Sequence, residues 1–362
     1  MKQLIIAIIM AGLASMSHAQ TQKKVTDLPN ISVIGNIVGV SNDHQKTMDV
    51  KDIEFSFQHY LYPSVKADVF VGLHKENGKR TFELEEGYVT FLDTFNVFFP
   101  NMGLPSGLGT IVGKKLIGYG KTNALHPEQW QFVDRPLLNE TFLGKGHGLS
   151  AEGVQLSALL PLPFFSQVEW GYWTASTHGH DDEDGDHGNH GGHAEAHGIE
   201  YENRLMSTRF WNGFSISDTQ ELELGFNYLL GNASAESTDD QQALMGLDVT
   251  FNQEFNDRNL TIQAEYSRAE YGEEGEAREK QRATAITALI DATKDIQLGV
   301  RYDELGKHGD EGEDITRLAF VATRQLTETS KFRLQYNTGE HVEDTVMAQF
   351  IFGMGPHSHV LQ

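Results

Sequence analysis

The amino-acid sequence predicts an all-β fold: a transmembrane, antiparallel, up-and-down β-barrel of about 16 strands, with short periplasmic turns and long acidic outer loops. Three observations predict it. Apolar and polar residues alternate over long segments, the connections between these segments are short and long in turn, and the chain starts with a leader typical of exported proteins. The count of about 16 carries an uncertainty of about two strands either way, and an even number fits such barrels.

Residues 1–19 predict a signal peptide. A lysine precedes the apolar run of residues 4–14, and Ser17 and Ala19 occupy the −3 and −1 positions of a cleavage site. The run is too short to span a membrane as a helix, although an uncleaved N-terminal anchor is the alternative. We expect residues 20–362 to form a single barrel domain in the outer membrane of a Gram-negative bacterium.

Composition limits the partners of this domain. The 362-residue chain has no cysteine, which excludes disulfides and thiolate metal sites. Its 51 acidic and 28 basic residues give a formal charge of −23, which disfavours nucleic acid and favours cationic partners. We therefore expect outer-membrane lipids and metal ions as partners and no nucleic acid, and we allow for a homotrimer.

The strands are marked by a period of two. Residues 221–230 read ELELGFNYLL, so leucine, phenylalanine and tyrosine fall on one face and glutamate and asparagine on the other. Such segments exceed the usual five or six residues of soluble strands and approach the roughly 9–11 that cross a bilayer. In chain order the same alternation covers residues 53–57, 65–71, 154–160, 222–228, 243–251, 260–266, 296–302, 332–336 and 346–352.

The connections favour a membrane barrel over a soluble β-sandwich, which is the alternative. In an up-and-down barrel every second connection lies at the same end, so one rim collects the short turns and the other the long loops. The short set comprises residues 62–64, 160–164, 215–219, 254–259, 293–295 and 326–330. The long, acidic set comprises residues 41–50, 176–200, 232–241, 272–280, 306–314 and 338–344.

The two faces of the predicted strands differ in chemistry. One face is apolar, and Trp170, Tyr172, Tyr266 and Tyr302 lie near its ends, where they suit an aromatic girdle. The other face suits a hydrated lumen, which about 16 strands make wide enough for water. Its charged residues are Glu54, Lys66, Asp68, Glu169, Arg204, Glu223, Asp248, Glu265, Arg301, Arg317 and Arg333. Among the predicted pore-lining residues are Lys114, Arg301, Arg317 and Arg333.

An inserted apolar loop, residues 121–147, interrupts the alternation between Phe95 and His147. It follows a strand that holds Lys114 and Lys115 and reads KTNALHPEQWQFVDRPLLNETFLGKGH. An external connection this apolar should pack against something, so we expect it to fold into the lumen and narrow the pore. Packing over the rim is the alternative.

Four polar residues of this loop are candidates for the constriction. His126, Glu128, Asp134 and Arg135 are its polar groups best placed to face a permeation path. For Asp134 and Arg135, a structural ion pair that pins the loop is the favoured alternative.

The outer loop at residues 177–198 is rich in histidine and carboxylates. It reads THGHDDEDGDHGNHGGHAEAHG and has no apolar residue larger than alanine, so it cannot build a core. Imidazole suits zinc, copper, nickel and iron, and carboxylates can complete the coordination. The predicted metal ligands are His178, His180, His187, His190, His193, His197, Asp181, Asp182, Asp184 and Asp186.

Binding by this His-rich loop should be modest and exchangeable. Its glycines disfavour a stable helix, and ordering the chain around an ion costs about 1–2 kcal/mol per residue. Zinc or another divalent transition metal would then be a ligand or a substrate, and no cofactor is required. A solvated loop without metal affinity is the alternative.

Four segments resemble a known family. They are ELEEGYVTF (83–91), LHPEQWQFVDRPLLNETFLG (125–144), LSAEGVQLSALLP (149–161) and FIFGMGPH (350–357). The chain resembles bacterial outer-membrane barrels described as zinc-regulated outer-membrane proteins and sometimes labelled TonB-dependent receptors. The resemblance implies a porin-like barrel linked to metal supply. TonB coupling is not expected, because about ten residues separate the leader from the first strand at Ile31 and leave no room for a plug.

The sequence therefore predicts a passive, porin-like channel for divalent metal ions, zinc first, or for small solutes. A non-transporting barrel that binds metal at the surface or acts as an adhesin is the alternative. We expect no enzyme, because there is no G-x-S-x-G motif and GLSAEG (148–153) does not fit it.

Overall fold

Sixteen antiparallel strands close into one barrel, so the predicted all-β, up-and-down topology is confirmed. The computed structural model describes residues 28–76, 79–144, 146, 148–176, 201–232, 241–271, 278–307 and 312–355. Each strand pairs with its neighbours in sequence, and β1 pairs with β16 to close the ring. The strands are β1 (Asn30–Ser41), β2 (Lys46–Tyr62), β3 (Val65–Glu76), β4 (Lys79–Phe91), β5 (Leu108–Leu116), β6 (Ser150–Leu159), β7 (Phe165–Ser176), β8 (Glu202–Ser217), β9 (Gln220–Asn232), β10 (Gln241–Phe255), β11 (Arg258–Tyr271), β12 (Glu279–Asp291), β13 (Ile296–Leu305), β14 (Ile315–Thr327), β15 (Ser330–Gly339) and β16 (Val342–Met354).

The outer surface of the barrel is apolar and its lumen is polar. On β10, Met245 and Leu247 are 43% and 55% exposed, whereas Asp248, which lies between Leu247 and Val249, is buried. This follows from the pleat, which points successive side chains to opposite faces. The predicted girdle residues Trp170, Tyr172, Tyr266 and Tyr302 are exposed on the outer face.

The two rims differ in most connections as the sequence predicted. The connections at residues 177–201, 233–240, 272–278 and 306–314 all lie at one rim, which we take as the outer rim because outer loops are the longer ones. At the same rim, β1 and β2 are joined by residues 42–45 alone and β15 and β16 by residues 340–341 alone. The predicted long loops 41–50 and 338–344 are therefore wrong, because the strands extend into them.

One connection at the periplasmic rim is long. There β4 and β5 are joined by residues 92–107, which contain the short helix α1 (Thr94–Phe98). The Asp93 carboxylate caps this helix by accepting from the Asn96 N–H at 3.2 Å. No helix within the described residues is long and apolar enough to span a membrane.

One residue that the sequence placed in the lumen, Arg204 of β8, lies on the outer face. The pairing of β8 with β9 shifts between Glu202 and Leu205, and Leu205 is fully buried in the lumen. Arg204 is exposed on the side of Met206, so the predicted lumen position of Arg204 is wrong. Leu205, Ser207 and Arg209 are buried, so the regular alternation of β8 itself places Arg204 on the outer face.

The hydrophobic core lies inside the lumen. The connection between β5 and β6, residues 117–149, enters the barrel and is called the inner loop below. Its helix α2 (Leu137–Phe142) packs Leu138 and Phe142 against the inner side of the wall. The wall residues of this core on β7–β13 are Trp173, Leu205, Leu229, Leu244, Ala269, Ala283 and Leu305. They belong to the outer halves of β7–β13, so the core fills that part of the lumen.

Candidate functional site: the inner loop and the lumen wall

The inner loop crosses the lumen. The sequence left two placements open, folding into the lumen and packing over the rim, and the loop has the first. It forms charged contacts with three parts of the wall: an acidic part on β2–β4, a second acidic part on β9–β11 and a basic part on β13–β15. At each contact the loop contributes the opposite charge, through His126, Lys121 and Asp134 respectively. Charge complementarity therefore fixes the loop across the barrel.

On the first acidic wall, His126 is enclosed by carboxylates. Its Nδ1 lies 2.5 Å from Oε2 of Glu54 and 3.6 Å from Oε2 of Glu85, and its Nε2 lies 2.9 Å from Oε2 of Glu86. All four side chains are buried. Burial by itself would lower the pKa of the His126 imidazole, but Glu54 and Glu86 raise that pKa well above its ordinary range.

A β-bulge in β4 brings two glutamates to this wall. Phe70 of β3 pairs with Glu86 and Val71 pairs with Leu84, which leaves Glu85 as the extra residue. Glu85 and Glu86 are consequently both buried in the lumen, although neighbours in a regular strand face opposite ways. Strict alternation therefore misses this pair, and only the EE dipeptide before a glycine hints at it.

His74 of β3 completes the group. Its Nε2 lies 3.0 Å from Oε1 of Glu85, and both side chains are buried. Among the described residues, Glu54, Glu85 and His126 each offer one ligand atom, and the three atoms lie within 4.8 Å of one another. These three residues could hold a metal ion.

On the second acidic wall, the start of the inner loop is held by Lys121. Its ammonium contacts the Glu223 carboxylate and lies 3.6 Å from Oδ1 of Asp248. Its backbone N–H donates to Oε2 of Glu265 at 3.0 Å. Tyr119 adds a hydrogen bond of 2.8 Å between its hydroxyl and that of Ser267.

On the basic wall, Asp134 is bound by four side chains. Nη2 of Arg301 donates to its Oδ1 at 2.8 Å, and Nη1 of Arg317 lies 3.2 Å from its Oδ2. Gln335 and Asn337 each donate an amide N–H to it at 2.7 Å. Burial alone would raise the pKa of the Asp134 carboxyl, but Arg317 and Arg301 hold it well below its ordinary range.

The other wall cations bind the backbone of the inner loop. Arg333 donates to the carbonyl oxygens of Trp130 and Phe132, and Lys331 donates to that of Glu128. The predicted pore-lining arginines Arg301, Arg317 and Arg333 thus all lie in the lumen and all contact the loop. Glu128 contacts Lys331 of the wall through its backbone carbonyl oxygen.

Arg135 has a different role from the predicted ion pair with Asp134. Its guanidinium donates to backbone carbonyls of its own loop, at 2.8 Å for Asn139, 3.2 Å for Gly144 and 3.1 Å for Gly146. Asp134 turns to the wall instead. Burial lowers the pKa of Arg135 to about 10. The predicted ion pair between Asp134 and Arg135 is therefore wrong, because the Arg135 guanidinium binds backbone carbonyls within the loop.

Lys114 is not a lumen residue. Lys114 pairs with Gly87 of β4 and lies on the same side of β5 as the exposed Val112. Its Nζ lies 3.6 Å from Oε1 of Glu83. Its neighbour Lys115 is buried in the lumen. Both lysines lie on the same strand, and the register of β5 turns Lys115 rather than Lys114 into the lumen.

Two further features bound the site. The His-rich loop, residues 177–198, lies outside the described residues and joins the outer ends of β7 and β8. On the periplasmic side, a cavity of about 300 Å³ reaches the inner loop and is lined by Trp130, Lys331 and Arg333, among others.

Comparisons with known proteins support the fold. No protein-family profile matches the sequence. A stretch of 63 residues is 43% identical to an uncharacterized protein of Aquifex aeolicus (strain VF5), and it covers 17% of this chain and 13% of that protein. The chain therefore spans only a small part of that relative.

Solved outer-membrane proteins share the fold at low identity. The in-vitro folded OmpT of Vibrio cholerae, described as a trimer form, is 9% identical with a TM-score of 0.55, over 91% of this chain and 100% of that one. An anion-selective porin from Comamonas acidovorans is 10% identical with a TM-score of 0.56, over 90% and 99%. The outer membrane channel DcaP of Acinetobacter baumannii is 11% identical with a TM-score of 0.54, over 91% and 96%.

The fold and its surfaces define a class. A closed 16-strand barrel with an apolar outer face and a charged lumen satisfies the requirements of a bilayer, where every backbone polar group must be paired. The protein is a porin-like barrel of the outer membrane of a Gram-negative bacterium.

Proposed function

We propose that the protein is a passive outer-membrane channel in which the inner loop forms the constriction. The observation that carries this proposal is the charged lumen wall. Acidic side chains on β2–β4 and β9–β11 face basic side chains on β13–β15, and the loop lies between them. A lumen filled only for stability would not need buried charges of both signs, because such pairs stabilise little more than apolar packing.

Divalent metal ions, zinc first, are the proposed solutes, and small polar solutes are the broader class. The net charge of −23 and the histidines of residues 177–198 favour cations near the outer mouth. In this proposal the His-rich loop captures metal there and releases it to the lumen. Membership in the zinc-regulated family remains a hypothesis that points the same way.

Single-channel recording in planar bilayers tests the proposal. The matched protein is a full-length loop-Asn variant, in which the six histidines of residues 177–198 are replaced by asparagine. We expect discrete conductance steps from both proteins, and a change with micromolar zinc that is larger for the native protein. The absence of steps from both proteins would contradict a channel. Equal zinc effects would contradict a role for the loop.

A non-transporting surface barrel is the second candidate, and one observation favours it. The apolar core around Leu138, Phe142 and Trp173 fills the outer half of the lumen between β7 and β13. If that core never opens, the bilayer stays silent while the protein still binds zinc. The same recordings, together with calorimetric zinc titration, therefore separate the two candidates.

A homotrimer is the proposed assembly, supported by the trimer form described for the Vibrio cholerae neighbour. Light scattering of the detergent-solubilised protein measures the mass directly. A mass of three chains is expected, and a mass of one chain would contradict it.

A further inference from the structure

We propose that His126, Glu54 and Glu85 form a divalent transition-metal site inside the lumen, separate from the His-rich loop. Bound metal would tie the inner loop to the wall at β2–β4. The three ligand atoms lie within 4.8 Å of one another in the described structure. Tetrahedral zinc with bonds of about 2.0–2.2 Å separates its ligands by about 3.4 Å, so small movements of the side chains suffice.

The orientation of the imidazole suits coordination. Nδ1 of His126 faces Glu54 and Glu85, whereas Nε2 faces Glu86 on the other side at 2.9 Å. Metal-binding histidines usually donate their second N–H to a carboxylate, which fixes the ring. Glu86 is itself held by the Leu116 N–H at 2.7 Å. Nδ1 would therefore bind the metal and Glu86 would orient the ring.

One carboxylate oxygen of this group, Oε1 of Glu54, is available to bind a metal ion. Oε1 of Glu54 is buried and has no hydrogen-bond partner within the part of the chain that the structure describes. Buried carboxylate oxygens are costly unless something compensates them. A metal ion near Oε1 would supply that compensation, while Oε2 lies against His126. This is an observation independent of the clustering itself.

The local backbone is arranged around the same point. The β4 bulge turns Glu85 into the lumen beside Glu86, and bulges often re-aim a side chain at a site. At Gly72 of β3, an added Cβ would collide with the His74 ring and the Glu85 carboxylate. Glycine there leaves the space in which His74 positions Glu85.

The donor set identifies the class of ion. One imidazole nitrogen and two carboxylate oxygens suit zinc and similar transition metals, whereas calcium and magnesium take oxygen ligands alone. Three protein ligands also leave a position for water or another exchangeable group, as in sites that do not seal their metal. The inferred site binds metal whether or not the barrel conducts.

Calorimetric titration of zinc into the full-length loop-Asn variant tests the site, because that protein lacks the outer-loop histidines. We expect one saturable site per chain that magnesium and calcium do not displace. Glu54→Gln and Glu85→Gln, made singly and together, should weaken it by at least about tenfold, and Glu86→Gln should weaken it by about 10–100-fold through the orientation of His126.

The matched control is Glu265→Gln. Glu265 is also a buried lumen carboxylate bound by the inner loop, but it lies on β11 and contacts Lys121. Its substitution should leave the zinc affinity within about twofold. Circular dichroism verifies that each variant is folded.

X-ray absorption at the zinc edge on the loop-Asn protein needs no further substitution. A nitrogen and oxygen shell with one imidazole is expected. Either of two results would overturn the site: no saturable binding to the loop-Asn variant, or unchanged binding when Glu54 and Glu85 are both replaced. Silent bilayers with zinc binding intact would overturn only the channel.

Discussion

Asp134 shows how single residues hold the inner loop. It lies on the loop, yet its carboxylate is bound by Arg301 and Arg317 of the wall and by the amides of Gln335 and Asn337. Charge-assisted hydrogen bonds of this kind are stronger than neutral ones and fix a geometry. This carboxylate is therefore a main anchor of the loop on β13–β15, beside the backbone bonds that Lys331 and Arg333 make.

Replacing Asp134 by asparagine should weaken the contact of the loop with β13–β15. Arg301 and Arg317 would lose one counter-charge but would keep Asp303, so the cost should lie below the about 3–5 kcal/mol of a fully broken buried pair. We expect a lower midpoint of urea unfolding and a larger single-channel conductance. Asp49→Asn is the control, because the Asp49–Lys75 pair is solvent-exposed and solvent screens it. Equal midpoints for the two variants would contradict the anchoring role.

The same carboxyl predicts a pH dependence. Because its folded-state pKa lies below its ordinary value, Asp134 contributes stability above the unfolded pKa of about 3.9 and loses that contribution as the pH falls through the folded pKa. The difference in conductance between the native protein and the Asp134→Asn variant should stay constant from pH 7 to about 5 and shrink only below about 4. A change in that difference near neutral pH would contradict the assignment to Asp134.

At the scale of elements, helix α2 and the outer halves of β7–β13 form one apolar unit. Leu138, Phe142 and Leu143 are fully buried against wall residues that include Trp173 and Leu205. A helix of six residues is not stable alone, so packing against the strands must supply its stability. The inner loop is thus held by apolar contacts on one side and charges on the others.

Phe142→Ala should show how much the apolar contact contributes to the free energy of unfolding. A large cavity inside the lumen costs about 3–5 kcal/mol, since the surrounding barrel cannot collapse. The urea midpoint should fall and the conductance should rise. Phe210→Ala is the matched control, because Phe210 is 37% exposed on the outer face of β8 and its loss leaves no enclosed cavity. Comparable losses in the two variants would contradict an interior core.

At the scale of the whole molecule, the apolar outer face sets the position of the barrel in the bilayer. Leu247 lies near the middle of β10, whereas Ile216 lies at the periplasmic end of β8, and both are more than half exposed. The cost of a charge on the lipid face depends on depth.

Leu247→Arg should therefore destabilise the folded barrel by about 2–4 kcal/mol, and Ile216→Arg by only about 0–1 kcal/mol. Unfolding in lipid vesicles measures both free energies. The same substitution at two depths is its own control, because side-chain chemistry is constant. Equal costs would contradict the placement of the bilayer around the middle of β10.

Much of this molecule follows from local patterns. Alternation such as ELELGFNYLL gave the strands and their faces, and the turn at Asn256 and Asp257 carries positive φ angles of 50° and 59°, which asparagine and aspartate tolerate in hairpins. The apolar content of residues 121–147 predicted the inward loop. Alternation failed at Glu85, where a bulge shifts the register. Arg204 and Lys114 were predicted in the lumen, but their neighbours Leu205 and Lys115 face it.

The sequence by itself determined the class of fold, the apolar outer face and the presence of an inner loop, because these depend on periodicity and composition within short segments. Only the tertiary structure decided what the loop touches. His126, Glu54 and Glu85 lie far apart in the chain and meet because strand register and one bulge bring them to the same part of the wall. Contacts of that kind depend on the closure of the whole barrel, which no local pattern encodes.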